Sequence, residues 1–307
     1  MGQATRVLTL VVLLFPRPGL AREPAPAAAA CAMPSLALPA PDSPEPPLYR
    51  PGLDPETAAL RADLQTLATF VRVSLGGGRS AGPGRSAAPW NALDAGRINA
   101  WDRTVVGRRS SRADAVSDGG LYTSLLAPHA ATLLEVLLSG ADLDRLSRHA
   151  LLLAKSWALS ASICDLVKHM AGRARPYMYD PRTEPGDLAG DDARRSFYSG
   201  HTAWSFTMAS SFSYLFHSAH PDSPWVVPVW LGTHAVATGT ALTRVLAGKH
   251  FWTDVLTGAA VGSALGLAVP LLDDLARSSP RHAWIATLRL VPRTHPGGFG
   301  LAVMGDW

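Results

Sequence analysis

Five long apolar stretches dominate the chain from residue 119 onward: 121–138, 149–167, 203–219, 225–243 and 255–272. Each is near the ~20 residues that carry a helix across a hydrocarbon layer. Interruptions are isolated: Pro128 and Glu135 in the first stretch, Lys155 in the second, Pro228 and His234 in the fourth. Ionisable groups are costly in a bilayer unless they face the interior of a bundle. The pattern predicts an all-α fold, an antiparallel helical bundle embedded in a membrane. A soluble bundle of buried helices is the alternative.

The remainder of the chain reads differently. Arg6, the apolar run 7–15 and the small residues of Gly19-Leu20-Ala21 have the layout of a secretory signal peptide over 1–21. Residues 22–53 are rich in alanine and proline and predict a disordered linker, because such a segment cannot bury enough apolar surface to offset its chain entropy. After Pro55, Leu60, Leu64, Leu67 and Val71 recur on one helical face. Residues 54–118 are accordingly expected to form an accessory N-terminal helical region, 119–275 the helical catalytic domain and 276–307 a C-terminal tail. Weak alternation around Pro296-Gly297-Gly298 suits a short β-hairpin there.

Composition narrows the chemistry. The 307 residues are 47% hydrophobic and 17% charged, which excludes a wholly disordered chain. Two cysteines, Cys31 and Cys164, exclude a disulfide scaffold and a four-thiolate zinc site. The net charge of +4 comes from scattered Lys and Arg without aromatic interleaving, so no nucleic-acid partner is expected.

Three basic clusters carry the candidate chemistry. In Lys168-His-Met-Ala-Gly-Arg-Ala-Arg175-Pro176 the two outer cations are seven apart. That spacing predicts both on one face of a helix, which Pro176 then stops. In Ser196-Phe-Tyr-Ser199-Gly200-His201, Ser199 suits an N-cap and Gly200 lets backbone approach a ligand. A helix start is an anion site, and His201 can move a proton near neutral pH. In Thr243-Arg244-Val-Leu-Ala-Gly248-Lys249-His250-Phe-Trp-Thr-Asp254, His250 and Asp254 are one helical turn apart. The carboxylate can then hold the imidazole N–H and raise the basicity of the other nitrogen.

Alone, each cluster is as well explained by a solvated helix end, a capped helix or a surface ion pair. Their order along an antiparallel bundle changes this, because all three then fall at the same end. Lys168, Arg175 and Arg244, two histidines, an anion-binding helix start and one carboxylate would share one place. That set suits phosphoryl transfer, in which the protein positions groups and neutralises charge.

Lys-x6-Arg-Pro, then Ser-Gly-His, then Arg-x5-His-x3-Asp resembles the three-part signature of the type 2 phosphatidic acid phosphatase and vanadium haloperoxidase superfamily. The motifs span 168–254. Tyr198 stands where the family usually has proline and Thr243 where it usually has serine, and neither change touches a charged or proton-transferring group. The resemblance implies that His250 attacks phosphorus, with Asp254 orienting it and His201 as general acid. It implies phosphate binding by Lys168, Arg175, Arg244, Ser199 and the Gly200 backbone, with no metal or other cofactor. Asp191 and Asp192, adjacent on a loop, read as solvated rather than ligating.

The expected function is therefore metal-independent hydrolysis of phosphomonoesters or diphosphates, lipid phosphates foremost, through a phosphohistidine. A vanadate-dependent haloperoxidase and a non-catalytic phosphate- or lipid-binding envelope protein are the alternatives. The expected partners are a phosphorylated lipid or small phosphoester and a membrane. Export would place the protein in the cell envelope, in the inner membrane with the site facing the periplasm, or soluble in the periplasm. The Arg145 and Arg148 connection would then lie inside, in keeping with the positive-inside tendency.

Overall fold

The computed structural model describes residues 93–278, apart from 141, 142, 185, 187 and 189, and the segments 289–295 and 298–304. The expected signal peptide, linker and helix around Leu60 lie outside the described residues.

Each of the five apolar stretches is a helix, and each helix runs past its stretch at one or both ends. They are α1 (Ser111–Ser139), α2 (Leu143–Ala171), α3 (Gly200–Ala219), α4 (Val226–Leu246) and α5 (Trp252–Ser278). Helix α3 is the hub and packs against all four others. Most of its inward positions are small or hydroxylated, with Ala203, Ser205, Thr207, Ala209, Ser210, Ser211 and Ser213 buried beside the larger Met208 and Leu215. The closest neighbour is α5, whose glycines recur every fourth residue at 258, 262 and 266. A Cβ on Gly262 would land on the Ala203 carbonyl, and one on Gly266 on the Thr207 carbonyl. Backbones this close leave room for direct hydroxyl bonds: Ser211 Oγ donates to the Gly266 carbonyl at 2.7 Å. Thr207 Oγ1 lies 3.1 Å from that of Gly262. Small residues and buried hydroxyls of this kind suit helix packing in lipid, where burial of apolar side chains gives little drive.

The outer surface is correspondingly apolar. Leu126, Leu133, Leu134, Leu137 and Leu138 of α1, Val227 and Leu231 of α4, and Leu271 and Leu272 of α5 are exposed. Three segments, Ser111–Leu138, Leu143–Tyr179 and Trp252–Ser278, are long and apolar enough to cross a membrane.

Two helix boundaries differ from expectation. Helix α2 ends at Ala171, and Gly172 follows with φ +55°, so Lys168 and Arg175 do not share a helical face. Pro176 does not stop the helix; it opens a separate 3-10 turn, Pro176–Tyr179. Helix α1 begins at Ser111, ahead of the expected start of the bundle at 119, with Ser110 Oγ accepting from the Ala113 N–H. The residues before it are seated on the bundle. A helical turn, Ala100–Arg103, is capped by Asn99. Val105 is buried with Val245, Phe251 and Val255, and Trp101 stacks on Trp252 at 5.9 Å. Beyond α5, β1 (Arg289–His295) pairs antiparallel with β2 (Gly298–Met304), around the expected hairpin turn.

Candidate active site

The three clusters meet at one end of the bundle. Lys168, in the last turn of α2, brings its Nζ to the first residue of α3, 3.5 Å from where a Gly200 Cβ would lie. Arg175 reaches the same place from the irregular segment after Gly172. Its Nη1 sits 3.2 Å from His250 Nε2 and donates to the Lys249 carbonyl at 3.1 Å. Its Nη2 is fixed by the Asp192 carboxylate at 2.7 Å, so Asp192 is tied to the pocket rather than merely solvated. Arg244 lies in the last turn of α4, with Nη1 bonded to Asp114 Oδ1 at 2.6 Å and Ser117 Oγ at 3.0 Å, while its buried Nε has no partner among the described residues.

His250 lies in the turn between α4 and α5 and is 1% exposed. Gly248 makes that turn possible: its φ is +69°, and any side chain there would collide with the Arg108 carbonyl. The Arg175 guanidinium can only donate, so His250 Nε2 is the acceptor and Nδ1 carries the proton. This tautomer follows from the hydrogen-bond network. Burial, then the charges of Arg175, Arg244 and Lys168, push the His250 pKa well below its ordinary value.

The expected bond between His250 and Asp254 is not formed. Asp254 Oδ2 stands 3.6 Å from Nδ1, and Nδ1 has no hydrogen-bond partner among the described residues. The carboxylate is instead held by Arg173 Nη1 at 2.5 Å, Ser196 Oγ at 2.5 Å and the Phe251 N–H at 3.0 Å. A charge beside the imidazole still favours its cationic form across that gap.

His201 stands in the first turn of α3, stacked on Trp204. Its Nε2 is 2.8 Å from Asp118 Oδ1. Burial first, and then Arg244, lower its pKa to about 4, against the opposing pull of Asp118. Ser199 is the N-cap residue of α3 but makes no side-chain cap; its Oγ accepts from Thr202 Oγ1 at 3.0 Å. Its N–H donates to the Asp254 carbonyl at 3.1 Å, which ties the second cluster to the third. Beside the pocket lies a cavity of ≈ 290 Å³ lined by Arg109, Ser110, Asp114, Tyr177 and Lys249, among others.

Several residues of this site carried no signal in the sequence reading. Asp114 and Asp118 are one helical turn apart before the first apolar stretch, but nothing local says that they meet Arg244 and His201. Arg173 and Ser196 lie inside the quoted clusters, yet only the fold reveals that they grip Asp254. Asp102 belongs to the region read as accessory and bonds both Arg173 and Thr253.

The geometry is that of an end-on cationic pocket in a helical bundle, with the buried His250 imidazole at its floor. Residues 149–277 match the model of the PAP2 superfamily. Among curated relatives, phospholipid phosphatase 2 of Rattus norvegicus is 32% identical over 149 residues, covering 40% of this chain and 52% of that protein. The lipid A 1-phosphatase of Porphyromonas gingivalis is 31% identical over 128 residues, covering 41% of this chain and 24% of that protein. The chain thus spans about half, or less, of the length of these relatives. Among solved structures, a transmembrane PAP2-type phosphatidylglycerolphosphate phosphatase from Bacillus subtilis aligns with a TM-score of 0.41 and 17% identity. That alignment covers 69% of this chain and 96% of the other.

Proposed function

We propose that the chain is a membrane phosphatase that hydrolyses lipid phosphates through a phosphohistidine at His250, with the site on the outer face of the membrane. The observation that carries the reading is Arg175 Nη1 at 3.2 Å from the acceptor nitrogen of His250, with the charges of Arg244 and Lys168 acting on the same imidazole. The named activities of the relatives, a phospholipid phosphatase and a lipid A 1-phosphatase, support the substrate class. The exposed leucines and the three long apolar segments support the membrane.

In this reading the three cations bind the non-bridging oxygens of the phosphate, with the Gly200 N–H at the start of α3 and the Ser199 hydroxyl beside them. His250 Nε2 uses its lone pair to form the N–P bond as the P–O bond to the leaving group breaks. His201 gives its proton to the departing oxygen. The bound phosphate supplies the negative charge that raises His201 from its depressed resting value and lets it act as an acid. Water then attacks phosphorus, His201 takes a proton from it, the N–P bond breaks and phosphate leaves. The cavity lined by Arg109 and Lys249 gives room for the headgroup attached to the leaving oxygen. Charge neutralisation rests on Lys168, Arg175 and Arg244, so the reading calls for no metal.

The test is phosphate release from phosphatidate by the full chain in detergent, with EDTA present. Release should continue in EDTA, and acid-labile phosphate should be trapped on the parent protein but not on His250→Ala, which should be inactive. Parent-level activity in His250→Ala overturns the nucleophile, and loss of activity in EDTA overturns the metal-free reading. Bromide oxidation that appears only with vanadate would assign the pocket to the haloperoxidase branch.

A further inference from the structure

The carboxylate beside the proposed nucleophile does not stand alone. Arg173 bridges two buried acids: Nη1 bonds Asp254 Oδ1 at 2.5 Å, and Nη2 bonds Asp102 Oδ2 at 2.8 Å. Both carboxylates are 0% exposed. The Arg173 guanidinium also lies 4.3 Å from the centre of the Phe251 ring, the residue between His250 and Trp252. Thr253 closes the circuit. Its Oγ1 donates to Asp102 Oδ2 at 2.7 Å, accepts from Arg173 Nη1 at 2.7 Å, and its N–H donates to Asp102 Oδ1 at 3.0 Å. Asp102 is fixed in turn by the Asn99 amide at 2.8 Å.

The charges in this network decide what it does. One guanidinium facing Asp254 alone would cancel the negative charge that supports the imidazole. Shared between two carboxylates, the same guanidinium leaves one net negative charge in the buried group. The charged or titratable groups that act most strongly on His250, namely Arg175, Arg244, Lys168 and His201, all oppose its protonation. Asp254, with Asp102 behind it, is the counterweight.

We propose that Asp102, which lies outside the matched region 149–277, is a positioning residue for the reaction: through Arg173 it orients Asp254 and preserves the charge that supports His250. The inference rests on the reading of His250 as nucleophile. Asp102 touches neither the substrate nor His250. Its contribution belongs to the chemical step and not to binding, so removing it lowers kcat and leaves KM in place. Supporting residues one step behind a reacting group typically matter by about 10- to 100-fold.

The experiment compares Asp102→Asn with the parent and with His250→Ala, all as the full chain in detergent, on phosphatidate. Asp102→Asn is expected to lose about tenfold or more in kcat with KM unchanged. Losing a negative charge near His250 lowers the imidazole pKa, so the acid limb of kcat/KM shifts to lower pH. A role in folding alone would lower the amount of active enzyme without moving that limb. Parent-like kcat and pH profile in Asp102→Asn, with His250→Ala inactive, overturns the inference and leaves the proposed function standing. Activity in His250→Ala overturns the proposed function, and the inference falls with it. If Asp102→Asn does not fold, Thr253→Val keeps the side-chain shape and backbone bond and removes only the bridging hydroxyl. It should reduce kcat at constant KM, and parent-like kcat there overturns the inference.

Discussion

A buried imidazole beside Arg175, in the field of Arg244 and Lys168, resists a second proton, which favours a free lone pair on His250 Nε2. The same field works against His201, whose proposed role as general acid requires its proton. Asp118 is its counterion, at 2.8 Å from Nε2, and holds its pKa above where burial and Arg244 alone would leave it. A general acid loses function as pH rises through its pKa in the complex. Asp118→Asn removes a charge that raises that pKa, so the alkaline limb of kcat should move to lower pH. A pH–rate profile checks this, and an unmoved limb would separate Asp118 from the acid. At this scale the sequence was informative where spacing is short. His250, Asp254, Arg244, Ser199 and His201 sit in compact motifs that do come together, although the local bonds expected of them differ: Asp254 stands 3.6 Å from His250 Nδ1 and Ser199 makes no side-chain cap. Asp102, Asp114 and Asp118 were illegible because each reaches its partner only through the docking of a distant segment: Asp102 lies 151 residues from Thr253 and Asp118 lies 83 from His201.

Among the elements, the α3–α5 contact fixes the pocket, since α3 begins with the proposed phosphate cradle and α5 follows directly from His250. The contact depends on glycine at 262, where a Cβ would overlap the Ala203 backbone carbonyl, which cannot swing aside as a side chain end could. Gly262→Leu should push the helices apart and cost about 1–3 kcal/mol, the usual price of overpacking a tight interface. Thermal unfolding in detergent reads this as a Tm lowered by roughly 2–4 °C per kcal/mol, and an unchanged Tm would show that the helices do not meet at 262. The helices themselves were legible because an apolar run of this length has few other solutions. Their ends were not. The seven-residue spacing of Lys168 and Arg175 looked helical, but Gly172 takes φ +55° and the two cations converge by a break in the helix. Helix α1 likewise starts before its apolar run, because Ser110 caps a polar first turn that faces the site rather than lipid.

The whole molecule is polarised along the bundle axis. One end holds the pocket. The other holds a second charged set, in which Arg148 grips Asp273 and Asp274 and Arg145 pairs with Glu135. Between them the exterior is rich in leucine. Cations at the pocket end cannot be used to assign its side of the membrane. Arg173, Arg175, Arg182 and Arg244 each hold a carboxylate, so their number reports the chemistry of the site and its supports. Arg145 and Arg148, beside the α1–α2 connection, are likewise paired with carboxylates, so the orientation proposed above, with that end inside, needs a direct test. If α1 crosses inward and α2 returns, the chain after Thr183 is outside. A reporter that is active only when exported, fused after Thr183, should therefore be active, while the same reporter fused at Gly140 should be silent. The reverse pair of outcomes would place the pocket on the inner face and restrict its substrates to phosphates presented from that side.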